Sequence, residues 1–282
     1  MEFEPLWMGI SSCKLQIEYS EIVRLLLKLR ADADQKDISL EYSKLQGFVY
    51  RLLHQSGYAG MHDKEGYKYF SFSNIFPYGD IRAGDIRNFI LASPNRNVIE
   101  TVAGHLAACK DNSIHIGDCS FTLRRFDSFD HVLPPAPVRI ASATPIIIRV
   151  PEYNYDIYSV PDAERRPRYV YWRPMISFDA FVKQLSENLI KKYNEYYGTE
   201  IAITNLFEQF FFRKPVHTRL IIEGKSYGVA ASMWEFSWSN LNSIQKRVIR
   251  FGLDAGFGER NSFGFGFVNI VNPQKPPHSP NR

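Results

Sequence analysis

The sequence predicts an α+β chain of two halves, each built in the order β-α-β-β-α-β. Three observations lead there. Strand-like runs alternate with amphipathic helices along the whole chain. At least two helices fall on each side of a break at residues 127–137, which carries Pro134, Pro135 and Pro137. The 282-residue length suits two domains of ordinary size better than one large core. The halves are accordingly set at residues 1–130 and 138–271, with a flexible, proline-rich tail at 272–282.

In the first half, residues 9–19 read as a strand, 20–28 as a helix and 30–38 as a polar loop. A helix is expected from Leu40 to Gln55, because Leu45, Phe48, Val49, Leu52 and Leu53 recur at helical spacing. Residues 88–91 suit a strand, 98–109 a helix and 121–126 another strand. In the second half, 146–150 is a β-rich apolar run. Phe178, Phe181, Val182, Leu185, Leu189 and Tyr193 share one face of a helix over 178–197. Strands are expected at 210–222 and 226–237. A helix over 243–255 turns Ile244, Val248 and Phe251 inward, and 263–270 is the last strand. No repeat is visible at the level of residues, so the duplication rests on element order.

With 45% hydrophobic and 23% charged residues, the chain reads as soluble and globular rather than disordered. The net charge of +4 is small, so the placement of cations matters more than their sum. Most of the 21 Phe and 16 Tyr fill cores, and exposed ones can stack on bases. Cys13, Cys109 and Cys119 form no CxxC pair and are odd in number. That points to a reducing cytoplasm, with no disulfide framework and no structural zinc. The opening carries Glu2 and Glu4 and no basic region, so no signal peptide is expected. No apolar run is long enough to span a bilayer.

The most unusual stretch is Gly256-Phe-Gly-Glu-Arg-Asn-Ser-Phe-Gly-Phe-Gly266. A phosphate-cradling loop follows a strand and opens a helix. Here a helix precedes, a strand follows and no Walker-type lysine is present, which argues against a nucleotide-binding enzyme. Read as a strand, the stretch puts Phe263, Phe265 and Phe267 on one face and Gly264 and Gly266 on the other. The bare face admits either a packed helix or a ligand backbone, and the same choice stands for Gly256 and Gly258. Arg260 and Asn261 add donors suited to phosphate.

On the first-half helix, Gly47, Tyr50, Arg51 and His54 lie opposite the apolar stripe. A mid-helix glycine costs about 0.5–1 kcal/mol relative to alanine, so a close approach at Gly47 is expected. Tyr50 and His54 are four residues apart and within reach of each other. Beyond the helix, His62 precedes a turn centred on Gly66, and Lys68 opens a strand-like run. Histidine, tyrosine and lysine suit RNA cleavage. The ribose 2′-hydroxyl must lose a proton and the leaving 5′-oxygen must gain one. An imidazole with a reference pKa of about 6.5 serves either transfer. A lysine ammonium offsets the charge growing on phosphorus. Taken singly, each residue also has a plain reading: a solvated loop histidine, a packing tyrosine, a surface lysine.

Leu45-Gln-Gly-Phe-Val-Tyr50, His62, Gly66-Tyr-Lys68-Tyr-Phe-Ser-Phe-Ser73 and the glycine-rich stretch together resemble the CRISPR precursor-RNA-processing endoribonucleases of the Cas-six type, within the RAMP superfamily. The resemblance spans the chain and is sharp at residues 45–73 and 252–268. It implies two tandem ferredoxin-like (RRM-like) domains, the first carrying the catalytic residues. It assigns His62 as the catalytic histidine, Tyr50 as the helix tyrosine beside it and Lys68 as the charge-stabilising lysine. His54 is the rival base. The implied reaction is 2′-hydroxyl attack on the adjacent phosphate, without metal or cofactor, leaving a 2′,3′-cyclic phosphate and a 5′-hydroxyl. The implied partner is CRISPR repeat RNA, with other proteins of a CRISPR complex as further partners, for a monomer or a homodimer.

Two basic clusters are candidates for RNA contact. Alternation puts Arg213, His217 and Arg219 on one strand face, with Lys214 near the edge. Arg165, Arg166 and Arg168 interleave with aromatics up to Arg173, as backbone contact with base stacking requires. The glycines 256, 258, 264 and 266 complete the expected RNA surface with Arg260 and Asn261. The rival function is a guide-RNA-binding subunit of an interference complex that does not cut.

Overall fold

The computed structural model describes residues 23–35, 42–222 and 224–271. The expected strand at 9–19 and the tail from 272 lie outside the described residues. The first unit contains β1 (Val23–Ala31), α1 (Tyr42–Gln55), β2 (Ser71–Phe72), β3 (Ile86–Ser93), α2 (Arg96–Ala108), β4 (Ser113–Ile116) and β5 (Cys119–Asp130). Its antiparallel sheet runs β2-β3-β1-β5-β4. The second contains β6 (Val138–Ser142), β7 (Arg149–Pro151), β8 (Tyr169–Tyr171), α3 (Phe178–Tyr197), β9 (Gln209–Ile222), β10 (Lys225–Trp238), α4 (Ser243–Ala255) and β11 (Val268–Ile270). Its sheet runs β11-β6-β10-β9, and β7 and β8 form a separate ribbon. Once β4 is set aside as an added edge, both sheets place the first strand between the third and the last. Each is a ferredoxin-like unit.

The strand β1 corrects the helix expected at 20–28 wherever that span is described. Leucine favours helices, but Leu25, Leu27 and Leu29 are wholly buried at period two. They meet Phe48 and Leu52 of α1 and Val98 and Val102 of α2 in one core. β1 is also paired on both sides, with β3 and β5, and that pairing overrides propensity. The second core packs Phe181, Leu185 and Leu189 of α3 and Val248 and Phe251 of α4 against Trp234 and Phe236 of β10. Ile244, expected to face inward, is 37% exposed, because it lies in the first turn of α4 beyond the sheet.

The last strand is shorter than expected. Residues 261–263 form a 3-10 turn, and Gly264 and Gly266 have φ of +94° and +70°, so the ladder begins only at Val268. Left-handed residues cannot hold the period-two alternation. Phe263, Phe265 and Phe267 therefore do not all share a face: Phe265, with Phe263 packed against the same cluster, joins Tyr42, whereas Phe267 joins Ile90.

The two units are bolted together by Arg24 on β1. Its guanidinium, 3% exposed, donates to Asp254 Oδ1 of α4 at 2.9 Å, to Asn269 Oδ1 at 2.6 Å and to the Val268 carbonyl at 3.1 Å. It also lies 4.8 Å from the Phe267 ring centroid. Among the described residues, no helix is long and apolar enough to cross a membrane.

Candidate active site

The connection from α1 to β2 brings three expected residues together. A single 3-10 turn over Ala59–Met61 ends at His62, whose backbone N–H donates to the Ala59 carbonyl at 3.2 Å. The His62 side chain is 71% exposed, and its Nδ1 lies 2.8 Å from Asp63 Oδ1. Its ring stands edge-on to Tyr50, with centroids 5.0 Å apart. Lys68 Nζ lies 5.0 Å from the Tyr50 ring centroid and donates to the His62 carbonyl. Tyr50 is wedged against the buried Phe70 at 5.7 Å, which fixes the ring that the other two touch. Tyr50 thus reaches His62, not His54. His54 is exposed in the last turn of α1 and makes no ring contact with Tyr50 among the described residues.

Asp63 was not anticipated. A carboxylate accepts, so this contact favours the tautomer with the proton on Nδ1, which leaves Nε2 as the acceptor. The adjacency of His62 and Asp63 in the sequence was the available signal. The arrangement offers a base or acid, a fixed aromatic and an ammonium on one open surface. Among the described residues, no cluster of three or more His, Cys, Asp or Glu side chains stands at metal-ligand spacing.

The glycine-rich loop is filled by the chain itself. A Cβ on Gly266 would lie 1.9 Å from the Phe257 carbonyl oxygen, and one on Gly258 2.6 Å from that of Ile147. On Gly256 it would meet the Asn261 side chain, and on Gly264 the Phe72 ring. Asn261 is spent inside: its amide donates to the Phe257 and Phe265 carbonyls at 3.1 and 3.0 Å. At the centre stands Lys192 of α3, 1% exposed. Its Nζ donates to the carbonyls of Gly256 and Gly258 at 2.5 and 3.0 Å and to Asn261 Oδ1 at 3.0 Å. Burial pushes its pKa down to about 7. Lys192 follows Leu185 and Leu189 at helical spacing, so a lysine within an apolar stripe was the sign of it. Gly47, by contrast, is approached by nothing within 4 Å of where a Cβ would lie, contrary to expectation.

The basic clusters are only partly free. A bulge in the pairing of β9 with β10 falls at Arg213. Its guanidinium turns to Glu235, which Arg139 also contacts. His217 and Arg219 pair with Ala230 and Gly228, on the opposite face from Glu235 by alternation. They and Lys214 are exposed on this edge strand, but Lys214, paired with Met233, points to the face of Glu235, and Arg213 does not share the face of His217 and Arg219 as expected. In the second cluster, Arg165 binds Asp156 at 2.7 Å and Asp162 at 3.1 Å. Arg166 donates to the Ala163 and Arg165 carbonyls. Arg168 alone of these three arginines opens, with Lys68 and Arg260, onto a cleft of about 780 Å³.

Residues 137–270 match the family model described as CRISPR associated protein Cas6, C-terminal. The CRISPR-associated endoribonuclease Cas6 of Haloferax mediterranei is 30% identical over 265 residues, covering 91% of this chain and 97% of its own. A second such endoribonuclease, Cas6 2 of Methanocaldococcus jannaschii, is 24% identical, covering 88% of this chain and 100% of its own. A solved structure described as CRISPR associated protein Cas6 superposes with a TM-score of 0.67 at 22% identity, covering 89% of this chain and all of that one. Another, described as a RAMP protein binding different RNA substrates, gives 0.62 at 18% identity, with the same coverage.

Proposed function

The chain belongs to the Cas6 family of CRISPR-associated endoribonucleases, and from that premise we propose that it cuts CRISPR repeat RNA within the precursor transcript at His62, without a metal ion. The supporting observation is the contact of His62 with both Tyr50 and Lys68 on an open surface. Asp63 holds the proton on Nδ1, so Nε2 takes the proton of the ribose 2′-hydroxyl. The freed oxygen attacks the adjacent phosphorus and expels the 5′-oxygen, which takes up a proton from the water at this open surface, and the imidazolium gives its own back to solvent. The products are a 2′,3′-cyclic phosphate and a 5′-hydroxyl. Lys68 stands where an ammonium can meet the charge building on the phosphoryl oxygens. Tyr50 keeps ring and ammonium in register. The first unit supplies this chemistry, and the second, beyond the connection at 131–137, grips the strand through Lys214, His217, Arg219, Arg168 and Arg260.

Labelled repeat RNA in EDTA tests this, beside a copy with a 2′-deoxy nucleotide at the cut. The first is cut and the second survives. His62→Ala slows cutting about 100- to 10,000-fold while binding persists. If the wild-type chain binds repeat RNA and leaves it whole, the chain is a guide-RNA-binding subunit instead. Cutting that stops in EDTA would replace the metal-free mechanism.

A further inference from the structure

The 780 Å³ cleft beside Lys68 has a size ordinary for ligand sites but the lining of a strand channel. One wall is α3, which presents Gln184, Asn188 and Lys191 at helical spacing. The rest of the lining comes from the β7–β8 ribbon with the short turn after β7, from residues 66–70 and from the glycine-rich loop.

Charge and pairing set the occupant. Arg149 is neutralised by Glu259. Arg168, Lys191, Arg260 and Lys68 have no acidic partner among the described residues, and Glu187, the other acid of the lining, lies 3.8 Å from Lys183, so the cleft is cationic. Tyr153 is 82% exposed on the rim and makes no ring contact among the described residues, so both faces of its ring are free. Cations for phosphates, an aromatic platform and an amide, on Gln184, able to pair with a base edge together describe single-stranded RNA. A duplex keeps its base faces stacked and would leave Tyr153 unused.

We propose that this cleft holds the unpaired nucleotides flanking the cut phosphate, with Tyr153 stacking on a base, Arg168, Lys191 and Arg260 on the phosphates, and Gln184 on a base edge. Lys68 belongs to both the cleft and the catalytic group, so a strand lying here enters the site directly. The inference rests on the endoribonuclease reading, from which it takes the position of the cut.

Repeat RNAs with a single abasic nucleotide at each position flanking the cut test the cleft, bound to the uncut complex of the His62→Ala chain. Adding Tyr153→Ala weakens binding of intact RNA roughly 5- to 150-fold, as loss of one stacked base does. Tyr153→Phe restores it. At one abasic position the parent chain loses the same factor and Tyr153→Ala adds nothing. Lys191→Ala and Arg168→Ala each lower the slope of log affinity against log salt by about one. The cleft assignment is overturned if Tyr153→Ala and Lys191→Ala bind as the parent does, or if the Tyr153→Ala loss is equal at every abasic position. The catalytic reading fails separately, if the wild-type chain binds RNA and does not cut. The abasic coupling would still place RNA in the cleft in that case.

Discussion

Replacing Lys192 by methionine tests whether a buried ammonium organises the glycine-rich loop. Three oxygens converge on Nζ, from Gly256, Gly258 and Asn261. Hydrogen bonds from a charged donor contribute about 1.5–3 kcal/mol each, so the three are worth roughly 4.5–9 kcal/mol. Against this stands desolvation. Burial lowers the pKa from 10.5 to about 7, which costs the charged form roughly 5 kcal/mol near neutrality. The balance runs from about zero to roughly 4 kcal/mol in favour of the bonds, with a midpoint near 2. Lys192→Met should destabilise the chain by about 2 kcal/mol at pH 7, read as a lower urea midpoint. The deficit should also depend on pH. The depressed folded pKa means that the unfolded chain binds more protons between pH 7 and 10.5, so the contribution of Lys192 grows as pH rises through that window. The gap between wild type and variant should widen by no more than ~1.4 kcal/mol per pH unit. A variant as stable as the parent, with a gap that does not change with pH, would refute the reasoning.

Gly266→Ala should cost roughly 2–5 kcal/mol in denaturant unfolding, because a side chain at φ +70° would also strike the Phe257 carbonyl. Gly47→Ala, at an open helical site, should gain about 0.5–1 kcal/mol in the same assay. Arg24→Met strands the Asp254 carboxylate and should cost about 3–5 kcal/mol, and the double variant with Asp254→Leu should recover most of it. In RNA-binding titrations, Lys214→Ala and Arg219→Ala should each lower the salt slope by about one, while Arg165→Ala and Arg213→Ala, whose guanidiniums are already paired, should leave it unchanged.

The helices were legible where an amphipathic stripe and a cap agreed. Ser177 caps the start of α3 and Gly198, at φ +62°, ends it, and Asn242 with Gln245 closes a capping box on α4. β1 was illegible because its leucines suit either period, and only its neighbours in the sheet choose between them. The bulge at Arg213 belongs to the partner strand as much as to β9, so alternation along one strand could not show it. Tyr50, His62 and Lys68 come from a helix, a loop and a strand entry. Their meeting was legible only through resemblance to a family. Nothing in the spacing foretold that Gly256, Gly258 and Asn261 would close on Lys192, since those bonds join α3 to a loop more than sixty residues away.

Two units of one topology divide the work through their connections rather than their sheets. The α1–β2 connection of the first carries His62 and Lys68. In the second, the β7–β8 ribbon is inserted between β6 and α3 and supplies Tyr153 and Arg168, and the loop after α4 supplies Arg260. Rigid packed elements hold these irregular segments in place, which is how loops come to carry function. The two contributions differ in kind. On the proposed reading, groups at His62 would act only as bonds change, whereas cations along the second unit would bind substrate before and during reaction alike. Precision therefore depends on the joint between the units. Arg24 fixes it from β1 by reaching Asp254 at the end of α4, two residues before the glycine-rich loop begins. A shift there would move the gripping surface against the cutting one while leaving both intact.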